Sequence, residues 1–257
     1  RRPPRSPLFP YTTLFRSHAE GAYIHDLRSL KFLKQNDGGY YNFWRLEYSK
    51  KHNGNLYPTH GLGPIAQIMG INRGDRFDYL TSMSAKQAGL SLYAEDKFGA
   101  GSPEALAEYK LGDMNTTLIR TVNGRTLMVQ HDTTSPRPYD RLHLISGTKG
   151  MARKWPRPAI ALEPNAHQFL KPEAYDQLIA QYEHPLVKQI GEKAKKVGGH
   201  GGMDFIMDYR LIYCLRNGLP LDQDVYDAAA WSCIVPLSEQ SVRSEERRVG
   251  KECRSRW

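Results

Sequence analysis

The stretch Asn53-Gly54-Asn55-Leu56-Tyr57-Pro58-Thr59-His60-Gly61-Leu62-Gly63-Pro64 sets a phenol, Tyr57, three positions before an imidazole, His60. Pro58 fixes the backbone between them, and the glycines permit close approach by a second chain or a ligand. An apolar run with helical spacing follows, Ile65, Ala66, Ile68 and Met69. Phenol and imidazole at the mouth of a helix can transfer protons and hydrogen-bond sugar hydroxyls. The same spacing also fits a helix N-cap turn at Thr59 with a packed histidine, because Tyr-x-x-His is a short motif. Three further clusters carry matching chemistry. Tyr23 and His25, two positions apart, share one face of a strand. Arg45 lies in the aromatic segment Asn42-Phe43-Trp44-Arg45-Leu46-Glu47, and Tyr139 follows Pro136-Arg137-Pro138. Together they suit a polar, ring-shaped ligand such as a sugar. Singly, Tyr23 and Tyr139 also read as packing tyrosines and Arg45 as a surface ion-pairing residue.

The elements that must position these groups fall into two halves. Glu20–Asp26 and Phe77–Ser84 read as strands. Asn115–Val122 and Arg125–Thr133 flank Asn123-Gly124, the dipeptide favoured in type I′ hairpin turns. Leu142–Ser146 and Met151–Trp155 form another hairpin across Gly147-Thr148-Lys149-Gly150. From Pro172 onward the pattern is helical: Glu173–Lys196 as one amphipathic helix, Met203–Arg216 ending at Asn217-Gly218, and Asp224–Val235. Strands followed by helices predict an α+β domain, a largely antiparallel open-faced sheet over residues 18–160 with helices on one face.

The two ends read differently. Leu8–Ser17 can be encoded by CTC TTT CCC TAC ACG ACG CTC TTC CGA TCT, and the reverse complement of that string translates as Arg243–Glu252. Residues 1–17 and 243–257 are therefore expected to be adapter-derived tails around a genuine segment, 18–242, and to contribute little to the core. The formal charge of +9 loses +4 with the first tail and +3 with the second, leaving +2 for residues 18–242. That balance gives no case for nucleic acid. Only Cys214 and Cys233 remain, without metal-like spacing, so neither a disulfide framework nor a metal site is expected. No apolar run reaches membrane-spanning length. Glu20–Asp26 opens as a strand already under way, with no start signal before it, as in a piece of a larger protein.

Other familiar chemistries have no footing. There is no strand-GxGxxG-helix unit, and Gly99-Ala100-Gly101 sits in a Ser/Pro loop as a turn. GxSxG, HExxH and Walker sequences are absent from the chain. His167, His184 and His200 are isolated. Gly198–Gly202 reads as a helix-linking loop from which His200 could face a site.

GAYIHDLR (Gly21–Arg28), the long run from Tyr40 to Ser84, and HDTTSPRPYDR (His131–Arg141) resemble glycoside hydrolase family 109. These are NAD-dependent α-N-acetylgalactosaminidases on the Gfo/Idh/MocA oxidoreductase fold, and the resemblance covers essentially all of residues 18–242. It implies that Tyr23 and His25 are the family's active-site pair. Arg45, Tyr57-Pro58-Thr59-His60 and Tyr139 would hold substrate, and Tyr57 is the one cofactor contact in this part of the chain. Gfo/Idh/MocA enzymes begin with a Rossmann domain, which this chain lacks, so the remaining NAD-binding residues are expected upstream and the chain alone is expected to be inactive. The implied reaction is redox-assisted elimination rather than paired-carboxylate displacement. NAD+ takes hydride from C3, a base removes the acidified C2 proton, the aglycone leaves C1, water adds, and the hydride returns. His60 is the expected base at the C3 hydroxyl with Tyr57 beside it. Tyr23 and His25 are expected at C2 or at the leaving group, and Arg45 and Tyr139 on the hydroxyl and acetamido groups. The resemblance further implies a periplasmic or secreted bacterial location and a homo-oligomer joined through an exposed apolar sheet face. A sugar oxidoreductase of the same superfamily and a non-enzymatic carbohydrate-binding domain are the alternatives.

Overall fold

The computed structural model describes residues 16–244 and 248–249. Its strands are β1 (Arg16–Ile24), β2 (Phe77–Ser84), β3 (Asn115–Thr121), β4 (Thr126–Asp132), β5 (Asp140–Gly147), β6 (Gly150–Arg153), β7 (Ala159–Leu162) and β8 (Arg248–Val249). They form one sheet in the order β7-β6-β5-β1-β4-β3-β2-β8. Every pairing is antiparallel except β1 with β4, which places Tyr23 beside His131 and Ile24 beside Asp132. The helices are α1 (Arg28–Phe32), α2 (Trp44–Lys51), α3 (Thr59–Met69), α4 (Gly89–Phe98), α5 (Pro103–Leu106), α6 (Pro172–Tyr182), α7 (Pro185–Val197), α8 (Met203–Arg216), α9 (Val225–Ser232) and α10 (Ile234–Ser244). This is the expected α+β architecture.

One core lies between the sheet and α3, α9 and α10. Ala19, Leu80, Ile119, Leu127, Val129 and Ile145 project from alternate strand positions onto Leu62, Ile65, Met69, Trp231, Ile234 and Leu237. α3 approaches β1 unusually closely. A Cβ on Gly21 would fall 2.3 Å from the Gly61 carbonyl oxygen, and one on Gly61 would fall 2.3 Å from the Ala22 nitrogen. Only two facing glycines allow that contact, and it delivers His60 to the end of β1. A smaller cluster, Leu46, Leu90 and Tyr109 with Phe32 and Phe43, seats α2.

Several expectations are corrected. β1 ends at Ile24, because Asp26 turns the chain by accepting from the Arg28 backbone N–H. The Asn123-Gly124 hairpin is not type I′. Of the pair only Gly124 has positive φ, and its N–H bonds the Thr121 carbonyl, giving a type I turn closed by a left-handed glycine. The single helix over Glu173–Lys196 is two, because Pro185 forces His184 into extended backbone, where its ring caps α7 through the Leu186 N–H. The third helix stops at Ser232, since Pro236 has no N–H to continue it, and α10 starts afresh. Thr59 is not an N-cap: Pro58 holds that position, with no side-chain bond. Arg16 and Ser17 prolong β1, and Arg248–Val249 pair with β2, because ladder hydrogen bonds are blind to side chains. The rest of the two tails, 1–15, 245–247 and 250–257, lies outside the described residues. The second sheet face is mixed rather than apolar: Met83, Leu118 and Val122 are exposed among Thr116, Arg120 and Gln130. Among the described residues no helix is long and apolar enough to cross a membrane.

Candidate active site

The six residues singled out in the sequence meet at the C-terminal end of β1, with Tyr23 at the centre. Its ring centroid lies 4.8 Å from Tyr57, 5.0 Å from His60, 5.8 Å from His25 and 6.3 Å from Tyr139. Tyr139 stands 5.0 Å from His25 and is backed by Trp155 at 5.5 Å. The Arg45 guanidinium lies over Tyr40, Trp44, Tyr57 and Tyr23, at 4.9, 4.8, 5.1 and 5.8 Å from their centroids. The ring faces attract such a cation and fix the plane of its guanidinium. Asn42 and Phe43, both in left-handed backbone, make the tight turn that aims it. Pro58 is buried at the head of α3, and Thr59 is half-buried beside it.

Protonation states follow from burial. Tyr23 is 7% exposed. Burial raises its phenol above the usual range despite opposition from Arg45. It therefore stays protonated, with its hydroxyl 3.3 Å from His25 Nδ1. Burial also lowers His25, helped by Arg45. His60 falls to about 4, through burial first and then the charges of Arg141, Arg45, His200 and His143. The site thus presents two imidazoles that are neutral at neutral pH, the state a general base requires.

The sequence reading missed three contributors and left a fourth, His200, open. His131 lies under Tyr23, with ring planes 19° apart and centroids 6.4 Å apart. Arg141 donates to the Tyr139 hydroxyl, and its guanidinium lies over that ring. Lys31 is fully buried and bonds Ser49 at 3.1 Å and Thr133 at 3.0 Å, while Ser49 bonds the Arg45 carbonyl. This clamps α2 to the end of β4. Burial pushes Lys31 down to about 7. The residue left open is His200. It stands in left-handed backbone between glycines of the same kind, and its Nδ1 lies 2.8 Å from Asp204. Its charge reaches His60. The glycines around it were the available signal; for His131, Lys31 and Arg141 there was none short of the fold. His167 is exposed and His184 caps a helix, so neither belongs to the site. No group of three or more metal-binding side chains occurs among the described residues.

His131 gives a testable pH dependence. Full burial, followed by the Lys31 and Arg45 charges, lowers it from 6.5 to about 3. Between those values the unfolded chain takes up a proton that the folded chain refuses, so stability present above pH 6.5 is lost as pH falls through the window. Urea midpoints should fall with pH, this group contributing at most ~1.4 kcal/mol per unit. His131→Gln should flatten the slope; an unchanged slope would assign the proton uptake elsewhere.

Residues 15–252 match the family described as glycosyl hydrolase 109, C-terminal domain. A curated alpha-N-acetylgalactosaminidase from Bacteroides fragilis is 56% identical over 226 residues, covering 88% of this chain and 53% of that protein. A glycosyl hydrolase family 109 protein from Phocaeicola vulgatus is 56% identical over 227 residues, covering 88% and 55%. The chain thus spans about half the length of the curated relatives it matches. Among solved structures, levoglucosan dehydrogenase in complex with NADH shares the fold at a TM-score of 0.58 and 17% identity, covering 93% of this chain and 59% of that one. An NAD-binding oxidoreductase from Klebsiella pneumoniae does so at 0.56 and 12%, covering 91% and 58%.

Proposed function

Because the chain belongs to glycosyl hydrolase family 109 through its C-terminal domain, we propose that it is the substrate-binding half of an NAD-dependent α-N-acetylgalactosaminidase. The carrying observation is the pair of neutral imidazoles, His60 and His25, gathered with Tyr23, Tyr57, Tyr139 and Arg45 around one point. A paired-carboxylate glycosidase needs an acid and a carboxylate flanking the sugar. This cluster offers phenols, imidazoles and a guanidinium instead, which fit proton removal from carbon-bound and hydroxyl positions.

The residues also fit a nicotinamide partner. A neutral base beside an alcohol is what hydride abstraction demands, and Tyr57 is the residue that would stand against the ring. NAD, when bound, supplies a reversible hydride acceptor for C3. Its diphosphate would be cradled outside residues 18–242, which carry no glycine-rich strand-turn-helix. We assign the chain's own work as follows. Arg45 and Tyr139 hold the hydroxyl and acetamido groups, with Pro58 and Thr59 shaping the wall. His60 takes the C3 hydroxyl proton, assisted by Tyr57. His25 takes the C2 proton, oriented by the Tyr23 hydroxyl. His200, with Nδ1 directed to Asp204, returns a proton to the leaving oxygen at C1. In the parent protein, His200→Ala should lower turnover about a hundredfold or more on an alkyl glycoside. It should cost far less on an activated nitrophenyl glycoside, whose leaving group needs no proton; equal losses on both would remove His200 from that role.

The enzyme as a whole is tested by release of sugar from a terminal α-N-acetylgalactosaminide with and without NAD. NAD-dependent release with no net NADH supports the reading. Net NADH without aglycone release would make the protein a sugar oxidoreductase, and binding without turnover would make this half a carbohydrate-binding domain. The periplasmic or secreted location and a homo-oligomer formed through the second sheet face belong to the same proposal; the exposed Met83 and Leu118 support the latter.

A further inference from the structure

An α-helical carbonyl accepts from the N–H four residues on. For His60 that residue is Pro64, inside α3, which has no N–H to give. The carbonyl of the proposed base is therefore left without its helical partner, half-buried against the sheet. His143 supplies the donor: its Nε2 lies 3.0 Å from the His60 carbonyl oxygen. Since a carbonyl only accepts, His143 must carry its proton on Nε2.

The chain goes to some length to place that ring. β1 and β5 slip register between Glu20–Leu144 and Gly21–Leu142, leaving His143 as the extra residue of a bulge. Leu142 and His143 have φ of 57° and 50°, a left-handed pair that side chains rarely adopt. The bulge is locked from behind: Lys154 and Trp155 donate to the His143 and Leu142 carbonyls, and Leu142 donates to Asp140 Oδ1 at 2.7 Å. Strain held this firmly marks a place where one side chain must point one way.

We propose that His143 is a positioning residue for His60, required because Pro64 removes the backbone donor that would otherwise hold the His60 peptide. His143 touches no substrate in this account. It fixes the first turn of α3, and with it the angle at which the His60 imidazole meets Tyr23 and Tyr57. The consequence for turnover rests on the proposed function; the exchange of hydrogen bonds does not.

The test is a cycle in which the lost donor is restored by another route. His143→Leu removes the donor, His143→Gln keeps an amide N–H near the same place, and Pro64→Ala returns the backbone N–H to α3. In this chain, nitrogen-15 spectra of the imidazoles should show His143 as the Nε2–H form. His143→Leu should lower the urea midpoint when Pro64 is present and much less when it is replaced. If His143→Leu does not fold, folding of the Pro64→Ala, His143→Leu double variant supports the proposal and its failure to fold overturns it. In the parent protein, His143→Leu should lower kcat at least tenfold with KM within twofold, while His143→Gln and the double variant recover most of it. An Nδ1–H form, an equal midpoint loss in both backgrounds, or kcat unchanged in His143→Leu would each overturn the assignment. Absence of glycosidase activity in the unmutated parent would instead strike the proposed function and leave the spectra and the stability cycle to decide this one.

Discussion

Replacing His60 by alanine in the parent protein should lower turnover by about two to four orders of magnitude, the usual contribution of a positioned general base. Stability should change little, because His60 is only half-buried and lies outside the hydrophobic core. The pH profile carries the sharper expectation. A base must be unprotonated to act, and burial, helped by the Arg141 and Arg45 charges, lowers His60 to about 4. The acid limb set by His60 in the free enzyme should therefore lie at about pH 4 instead of 6.5 as for an ordinary imidazole, with His25 and the proton donor His200 adding limbs of their own. Tyr57→Phe should also lower turnover well beyond any change in stability. Turnover retained in His60→Ala would take the base role from this residue.

The second large effect is on folding and comes from one methyl group. Gly61→Ala would place a Cβ 2.3 Å from the Ala22 nitrogen and 2.8 Å from the Gly21 carbonyl carbon, backbone atoms that cannot rotate away. In an ordinary helix the same change gains up to ~1 kcal/mol. Overpacking costs about 1–3 kcal/mol and occasionally more, and a clash with backbone belongs at the upper end. The clash wins, and α3 must lift off β1, carrying Leu62, Ile65 and Met69 out of the core they share with Ala19. The control is Gly191→Ala in α7, where the new Cβ meets only Val187 Cγ1 at 3.4 Å. There the helix gain should prevail and raise the urea midpoint. Equal midpoints for Gly61→Ala and the unmutated chain would show that the α3–β1 contact is looser than described.

These two expectations also mark how far the sequence could be read. Strand positions came through because alternation at β3 and β4 shows the buried face directly, with Thr117, Ile119 and Thr121 against Leu118 and Arg120. The six site residues were found by chemical type, and Tyr23 gathers five others only because β1 runs parallel to β4 and beside β5, which no local pattern encodes. Local rules settled some details that longer-range patterning missed. Pro185 and Pro236 break helices that hydrophobic periodicity alone would run together. The Asn-Gly dipeptide marked a hairpin correctly while its third loop residue, Val122, decided the turn type. Lys31 and His131 look like surface residues by type, and only the fold shows them fully enclosed. His143 was hidden most completely, because its bulge arises from a register slip between strands more than a hundred residues apart. Pro64 was the visible half of that pair.

The central claim is that the C2–H bond of the sugar breaks and re-forms during a hydrolysis that consumes no NAD. It is tested most directly by running the parent protein with NAD and a terminal α-N-acetylgalactosaminide in D2O, then examining the released sugar by proton NMR. The account predicts N-acetylgalactosamine deuterated at C2, with the deuterium lost in step with turnover in His25→Ala and no net NADH. Released sugar that keeps its C2 proton, formed equally well without NAD, would contradict it.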